Sequence, residues 1–262
     1  MTGPLAYIGG KNRIAKQIIA TFPKHTTYVE PFAGGAQVFF HKEPSKVEVL
    51  NDLDGDVVNF FRICQRHHDD LVRYLKFVLV SRRWFALLQA ENAAALTDME
   101  RAARFFYLQK NAFAGLIRNR KYHCAVVESP NFKPGKIPEL IKNAHRRLDR
   151  AQIESLPYGE ILARYDRPGT LFYLDPPYWG RKLYNFNFAD EDFVDLAERL
   201  KSLQGKFVLS INDVPRIREI FQGFVLREIE ISYTSQTKAG KRFRELLIAN
   251  FKLPAKPGKK AA

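Results

Sequence analysis

The run Thr170-Leu171-Phe172-Tyr173-Leu174 constrains the fold more than any other stretch, because it is uncharged and β-prone and stops abruptly at Asp175-Pro176-Pro177-Tyr178-Trp179. A strand without polar alternation is covered on both faces, as in sheets flanked by helices. Pro176 has no amide hydrogen for a central ladder, so Asp175 belongs at the strand's carboxyl end. In an open α/β sheet that edge is where ligands bind. A carboxylate, rigid backbone and a flat aromatic face would suit a site there; a plain strand and turn with an aromatic at the rim would use the same residues.

Upstream, Thr27-Tyr28-Val29-Glu30 reads as a second strand, followed by Pro31-Phe32-Ala33-Gly34-Gly35, a helix from near Ala36, and a strand over 46–50 that ends at Asn51-Asp52. This is a β-loop-α-β unit with glycines in its first turn. Asp52 follows Gly35 by 17 residues, close to the offset of about 20 at which such an acid grips a ribose. The glycines lack the G-x-G-x-x-G spacing that seats a pyrophosphate, and Glu30 would repel a phosphate. The pattern points to a ligand with adenosine but no pyrophosphate. A cationic sulfonium with an amino-acid tail fits, with Glu30 available to its positive charge. Glu30 as a helix cap and Asp52 as a turn former are the plainer alternatives. Tyr7-Ile8-Gly9-Gly10-Lys11 precedes a helix carrying Ile14, Ile18, Ile19 and Phe22. Paired glycines there either free backbone amides for a ligand or make an ordinary loop.

With 262 residues, 46% of them hydrophobic, the chain can bury a sizeable core. No stretch approaches the roughly 18 to 20 apolar residues of a membrane span. Residues 1–13 hold no apolar signal region, and Cys64 and Cys124 are far apart. A soluble, non-secreted protein in a reducing compartment is expected, and no His, Cys and carboxylate cluster suggests a metal.

The net charge is +14, and between Arg101 and Arg150 twelve Lys and Arg stand against only Glu128, Glu139 and Asp149. Charge so concentrated points to nucleic acid rather than to solubility. Helical patterns cover 55–66, 69–80, 82–92 and 98–110. Residues 111–135 then form a basic loop or hairpin with Arg118, Asn119, Arg120 and Lys121. Arg and Asn pair two-pronged with guanine and adenine edges, so this loop is a candidate reader of DNA. A helix over 139–148 should carry Lys142, His145, Arg146 and Arg147 outward.

Beyond the proline motif, residues 180–187 hold Arg181, Lys182, Tyr184 and Phe186, an aromatic and basic loop that can fold over a base. A helix over 190–203, a strand over 206–211, and a hairpin of 224–232 with 245–251 on the sheet edge follow. The hairpin's loop contains Lys238, Lys241 and Arg242, and residues 254–262 read as a basic disordered tail.

Taken together these residues resemble the Dam-like (D12 class) DNA adenine N6-methyltransferases over nearly the whole chain. Tyr7-Ile8-Gly9-Gly10-Lys11 resembles the family's N-terminal cofactor motif and Glu30-Pro31-Phe32-Ala33-Gly34-Gly35 its S-adenosylmethionine loop. Asp52 resembles its ribose-binding acid, and Asp175-Pro176-Pro177-Tyr178 its catalytic motif, in the order of the family's α group. The resemblance implies a Rossmann-like S-adenosylmethionine-dependent methyltransferase sheet with an inserted, mainly helical DNA-recognition domain. It divides the chain into a discontinuous catalytic domain (1–54 and 151–253), a recognition domain (55–150) and the tail.

The implied cofactor is S-adenosyl-L-methionine, held by Tyr7, Gly10, Lys11, Glu30, Phe32, Gly34, Asp52 and Asp175. The implied partner is double-stranded DNA, met by Arg118, Asn119, Arg120, Lys121, Tyr184, Lys238, Lys241 and Arg242 in the cytoplasm of a prokaryote or from a phage. Asp175, Pro176, Pro177 and Tyr178 would act on a flipped adenine. A DNA-binding relative without catalysis, and a methyltransferase acting on cytosine N4, RNA or a protein amide, remain the alternatives. One departure matters. The family's loop often reads as an aromatic and Asn-Gly-Leu-x-Arg, whereas this chain has Phe113-Ala114-Gly115-Leu116-Ile117-Arg118. Ala114 has no side-chain group to hydrogen-bond a base, so the resemblance does not by itself assign the family's GATC target.

Overall fold

The computed structural model describes residues 1–124, 129–232 and 242–254. Seven strands form one sheet: β1 (Thr27–Glu30), β2 (Val47–Asn51), β3 (Ala151–Glu154), β4 (Thr170–Leu174), β5 (Lys206–Asn212), β6 (Val225–Ser232) and β7 (Arg242–Ala249). Their order is β3-β2-β1-β4-β5-β7-β6, with β7 antiparallel to both neighbours and the other pairs parallel. This is the Rossmann-like α/β sheet expected. The strand order reverses between β1 and β4, so the crevice at their carboxyl ends is the topological switch point of the sheet.

Burial explains the strand sequences. β4 is buried at all five positions. Tyr28, Leu50, Leu171, Tyr173 and Val208 face one core, and Val29, Val49, Phe172, Leu174 and Leu209 the other. Such period-two alternation between two covered faces closes the middle of the central strands to water.

The first core is covered by α1 (Ala15–Ile19), α2 (Gln37–His41), α3 (Gly55–Arg66), α4 (His68–Leu75), α5 (Arg82–Ala90), α6 (Asp98–Asn111) and α7 (Ile137–Leu148). The second is covered by α8 (Tyr158–Tyr165), α9 (Asp190–Lys201) and α10 (Pro215–Ile220). The helices between β2 and β3 share one core with the sheet, α3 lying against β3: Phe60, Phe61, Phe105 and Phe106 belong to the same cluster as Tyr28 and Tyr173. Local signals set their limits. Asp54 accepts from the Asp56 amide to start α3, and Thr97 and Glu100 form a reciprocal capping box on α6.

Several expectations need correction. The helix expected over 69–80 stops at Leu75, because Phe77 and Leu79 lie outside the buried face and are exposed. The hairpin lies on the sheet edge as expected, with β7 beside β5 and β6 outermost. Arg147, expected outward, turns in to the buried Glu48 (2.5 and 2.8 Å) with its guanidinium 3.6 Å from the centre of the Phe39 ring. Arg101 and Arg104 also bond within the protein, to Asp56 (3.2 Å) and to the Leu88 carbonyl (2.6 Å). Part of the basic surplus of 101–150 therefore serves the fold.

Candidate active site

The loop after β1 is shaped by glycine. Gly34 has φ +47°, and a Cβ on it would stand 2.8 Å from the Tyr7 ring. Only glycine gives both the left-handed turn and the close passage of Tyr7 over the loop. The Gly34 amide donates to Asp52 Oδ2 (2.7 Å) and the Asp54 amide to Asp52 Oδ1 (2.8 Å). Strand β2 thus delivers its terminal acid against the loop that follows β1. Burial pushes the Asp52 carboxyl up to about 6, and these two amides pull the other way.

A cleft of about 830 Å³, its open mouth included, lies over these strand ends. Tyr7, Gly10, Lys11, Glu30, Phe32, Gly34, Asp52 and Asp175 all line it, although they come from four separate segments. Pro177 lines it as well. Tyr184 closes one side: its ring lies 6.2 Å from that of Tyr7 at 19°, its hydroxyl donates to the Ile8 carbonyl (3.1 Å), and Asn185 donates to Asp54 (2.9 Å). Phe32 packs between Tyr158 (5.5 Å) and Phe188 (5.6 Å).

At the end of β4 the charges converge. Lys11, only 4% exposed, donates from Nζ to Asp175 Oδ1 (2.6 Å) and to the Gly9 carbonyl (2.9 Å). The same ammonium lies 3.6 Å from Glu245 Oε1 and 4.9 Å from the centre of the Tyr178 ring. Ser210, itself hydrogen-bonded to Tyr173 (2.8 Å), reaches Asp175 Oδ1 at 3.4 Å. Burial alone would lower the Lys11 ammonium, but Asp175 and Glu245 outweigh it and hold it well above its ordinary value. Burial raises the Asp175 carboxyl, and Lys11 opposes that rise. Lys11 is therefore what favours an ionised carboxylate in a closed site. Glu30, beside them, is pushed up to about 8 by burial, against the hydroxyl of Tyr28 at 3.0 Å.

The turn after Asp175 is held at its far end. The Trp179 amide donates to Asn212 Oδ1 (3.0 Å), and the Trp179 indole to Asp190 (3.1 Å), itself clamped by Arg216. Asp213, the residue after β5, pairs with Arg218 (2.6 and 2.8 Å).

Residues 111–123 form a hairpin: the Phe113 amide donates to the Lys121 carbonyl (2.8 Å) and the His123 amide to the Asn111 carbonyl (2.7 Å). Arg118, Asn119 and Lys121 are exposed, and Phe113 is 55% exposed. Arg120 instead turns inward, with its guanidinium 3.5 Å from Gln109 Oε1. Gln109 bonds the Ala6 and Gly115 carbonyls (both 2.7 Å), and the Ile8 amide also bonds Gly115 (3.0 Å). The hairpin is thereby tied to the segment that carries Tyr7. Lys238 and Lys241 lie outside the described residues, as does the tail beyond Pro254, and Arg242 enters only as the first residue of β7. Among the described residues no group of His, Cys, Asp and Glu suits a metal, and no helix is long and apolar enough to cross a membrane.

Sequence reasoning missed Glu245 and Ser210. Ser210 is a single polar residue inside an apolar strand run and Glu245 opens one after Arg244, and a polar residue at a buried position is the more informative exception.

Comparison with known proteins matches residues 7–235 to the family model of the D12 class N6 adenine-specific DNA methyltransferases. The chain belongs to this family. The Type II methyltransferase M1.LlaDCHI of Lactococcus lactis subsp. cremoris is 27% identical over 94% of this chain and 94% of its own. The Type II methyltransferase M.CviBI of Paramecium bursaria Chlorella virus NC1A is 26% identical, covering 89% of this chain and 91% of its own. A DNA adenine methylase of Haemophilus influenzae is 26% identical over 94% and 92%.

Proposed function

We propose that this D12-class chain transfers the methyl group of S-adenosyl-L-methionine to N6 of an adenine turned out of double-stranded DNA. The observation that carries the reading is the Lys11–Asp175 pair beside Tyr178, opening onto the cleft of the glycine loop. The cleft suits the cofactor. A carboxylate has about four lone-pair sites, so Asp52 can accept from ribose hydroxyls as well as from the backbone amides that hold it. Gly34 brings backbone where a side chain would collide with Tyr7. Glu30 at the wall, its carboxyl pushed up to about 8 by burial, can ionise against a cationic sulfonium, whereas a phosphate would oppose that charge. When bound, the cofactor supplies an electrophilic methyl on a cationic sulfur.

The chain's residues then orient and activate the amine. The adenine N6 lone pair is delocalised into its ring and attacks poorly until its N–H groups are held. The Asp175 carboxylate and the Pro176 carbonyl accept those N–H groups, and Tyr178 offers the base a π-face. Transfer would exchange the cofactor's S–C bond for the new C–N bond, and the proton lost by the amino group would pass to the Asp175 carboxylate or to solvent. The rate enhancement comes from alignment and fixed charge rather than from a covalent enzyme intermediate.

Residues 55–150 are proposed to recognise the target, with Arg118, Asn119 and Lys121 at the exposed hairpin supporting that role. Arg120 takes a supporting position behind it. The setting proposed is the cytoplasm of a prokaryote or of a phage-infected cell.

The test is expression in cells without adenine methylation, followed by sequencing of their DNA with base-resolution detection of modified bases. N6-methyladenine in one sequence context is expected. N4-methylcytosine, or DNA retention without any methyl transfer, would overturn the reading.

A further inference from the structure

Glu245 lies outside every motif that points to the chemistry, yet the fold carries it to the centre of the site. Strand β7 runs antiparallel to β5 with Glu245 opposite Asn212, the residue that holds the Trp179 amide. This register sets a carboxylate beside the carboxyl ends of β4 and β5. Glu245 is 2% exposed. Its Oε1 accepts the hydroxyl hydrogen of Tyr178 and lies 3.6 Å from Lys11 Nζ. Among the described residues, no donor serves its Oε2.

We propose that Glu245 is a positioning residue for methyl transfer, which fixes the plane of the Tyr178 ring and shares Lys11 with Asp175. The inference rests on the function proposed above, since it assigns Tyr178 to the target base. Tyr178 follows two prolines that restrict its backbone, but its ring can still rotate about the side-chain bonds. A buried acceptor at the hydroxyl removes that freedom, so the π-face is set before a base arrives rather than by it. Lys11 joins the two halves of the site, because one ammonium faces the carboxylate proposed to hold the amine and the carboxylate that holds the ring. A strand packed for stability alone would put an apolar side chain here, since a buried acceptor without a donor is rare and unfavourable.

The test uses the full-length protein and duplex DNA bearing its mapped target adenine, or 2-aminopurine in its place. Wild type must first methylate the adenine; failure there refutes the proposed function and is distinct from failure of this inference. Given that activity, Glu245→Ala is expected to lower kcat by about ten-fold or more, with KM for DNA changed by less than about three-fold. It should also weaken the 2-aminopurine fluorescence that reports a settled, unstacked base. Glu245→Gln keeps an acceptor for the Tyr178 hydroxyl and is expected to recover most of that fluorescence, and it serves if the alanine variant does not fold. Tyr178→Phe removes the same hydrogen bond from the other side, so combining it with Glu245→Ala should add less than about a two-fold further loss beyond the alanine variant. Wild-type turnover in Glu245→Ala overturns the proposal, as do losses that multiply in the double variant. If only Glu245→Gln folds, wild-type kcat and wild-type 2-aminopurine fluorescence in Tyr178→Phe overturn it, because the hydroxyl's bond to Glu245 would then be dispensable.

Discussion

Lys11→Met removes the cation of the catalytic cluster while keeping an unbranched side chain of similar reach, and its effect should depend on pH. In the native protein Lys11 Nζ stands 2.6 Å from Asp175 and 3.6 Å from Glu245, all but sealed from water. Removing one partner of a buried ion pair destabilises by about 3–5 kcal/mol, because a charge is left uncompensated. The stranded carboxyls can escape only by taking up protons. Burial already pushes Glu245 up to about 7 and raises Asp175, and Lys11 opposes both shifts.

Without Lys11 both folded-state values rise further above the unfolded ones. The folded variant then binds more protons than its unfolded chain, so its stability falls as pH rises from the ordinary carboxyl range to beyond 7. Each extra proton held changes the deficit by about 1.4 kcal/mol per pH unit. Urea unfolding followed by the fluorescence of Trp84 and Trp179 measures it. The gap between wild type and variant should be about 3–5 kcal/mol at pH 8 and narrower by at least about 2 kcal/mol at pH 5.5. A gap of equal size at both pH values would refute the reasoning, because Lys11 would then contribute packing rather than charge.

Asp175→Ala should abolish methyl transfer while leaving DNA affinity largely intact, as measured by radiolabelled transfer and gel retardation; near-normal turnover would remove Asp175 from the chemistry. Arg118→Ala should cost about 1–3 kcal/mol in discrimination between target and altered sequences in competition binding. An equal loss on every sequence would make Arg118 a phosphate contact. Glu30, pushed up to about 8 by burial, is largely protonated at pH 7, and a cationic ligand favours its anion. Binding then releases a proton, so affinity for S-adenosylmethionine should rise between pH 6 and 8, by up to about ten-fold per unit. Calorimetry showing no such rise, or the same rise in Glu30→Gln, would dissociate Glu30 from the cofactor.

Much of the architecture was written in local patterns. β4 follows from an uninterrupted run and β1, β2 and β5 from mainly apolar ones, as two covered faces require, and the glycines after β1 mark the turn that Gly34 makes at φ +47°. Asp52 and Asp175 were legible as strand-end acids because a strand's limit can be read from the residues that break it. Short elements were not. β3 (Ala-Gln-Ile-Glu) has no apolar run and α10 is only six residues long, and the apolar run at 77–80 carries no mark of where α4 must end.

The site divides in the same way. The sequence by itself determined which residue types stand at each strand end, since those depend on neighbours along the chain. Tertiary structure decided which of them meet. Arg147 and Arg120 turn inward because Glu48 and Gln109 lie beneath them. Glu245 reaches Lys11 and Tyr178 because an antiparallel strand enters between β5 and β6. The reason is that strand order and register are chosen by burial of whole faces, a sum over the entire sheet that no local spacing contains.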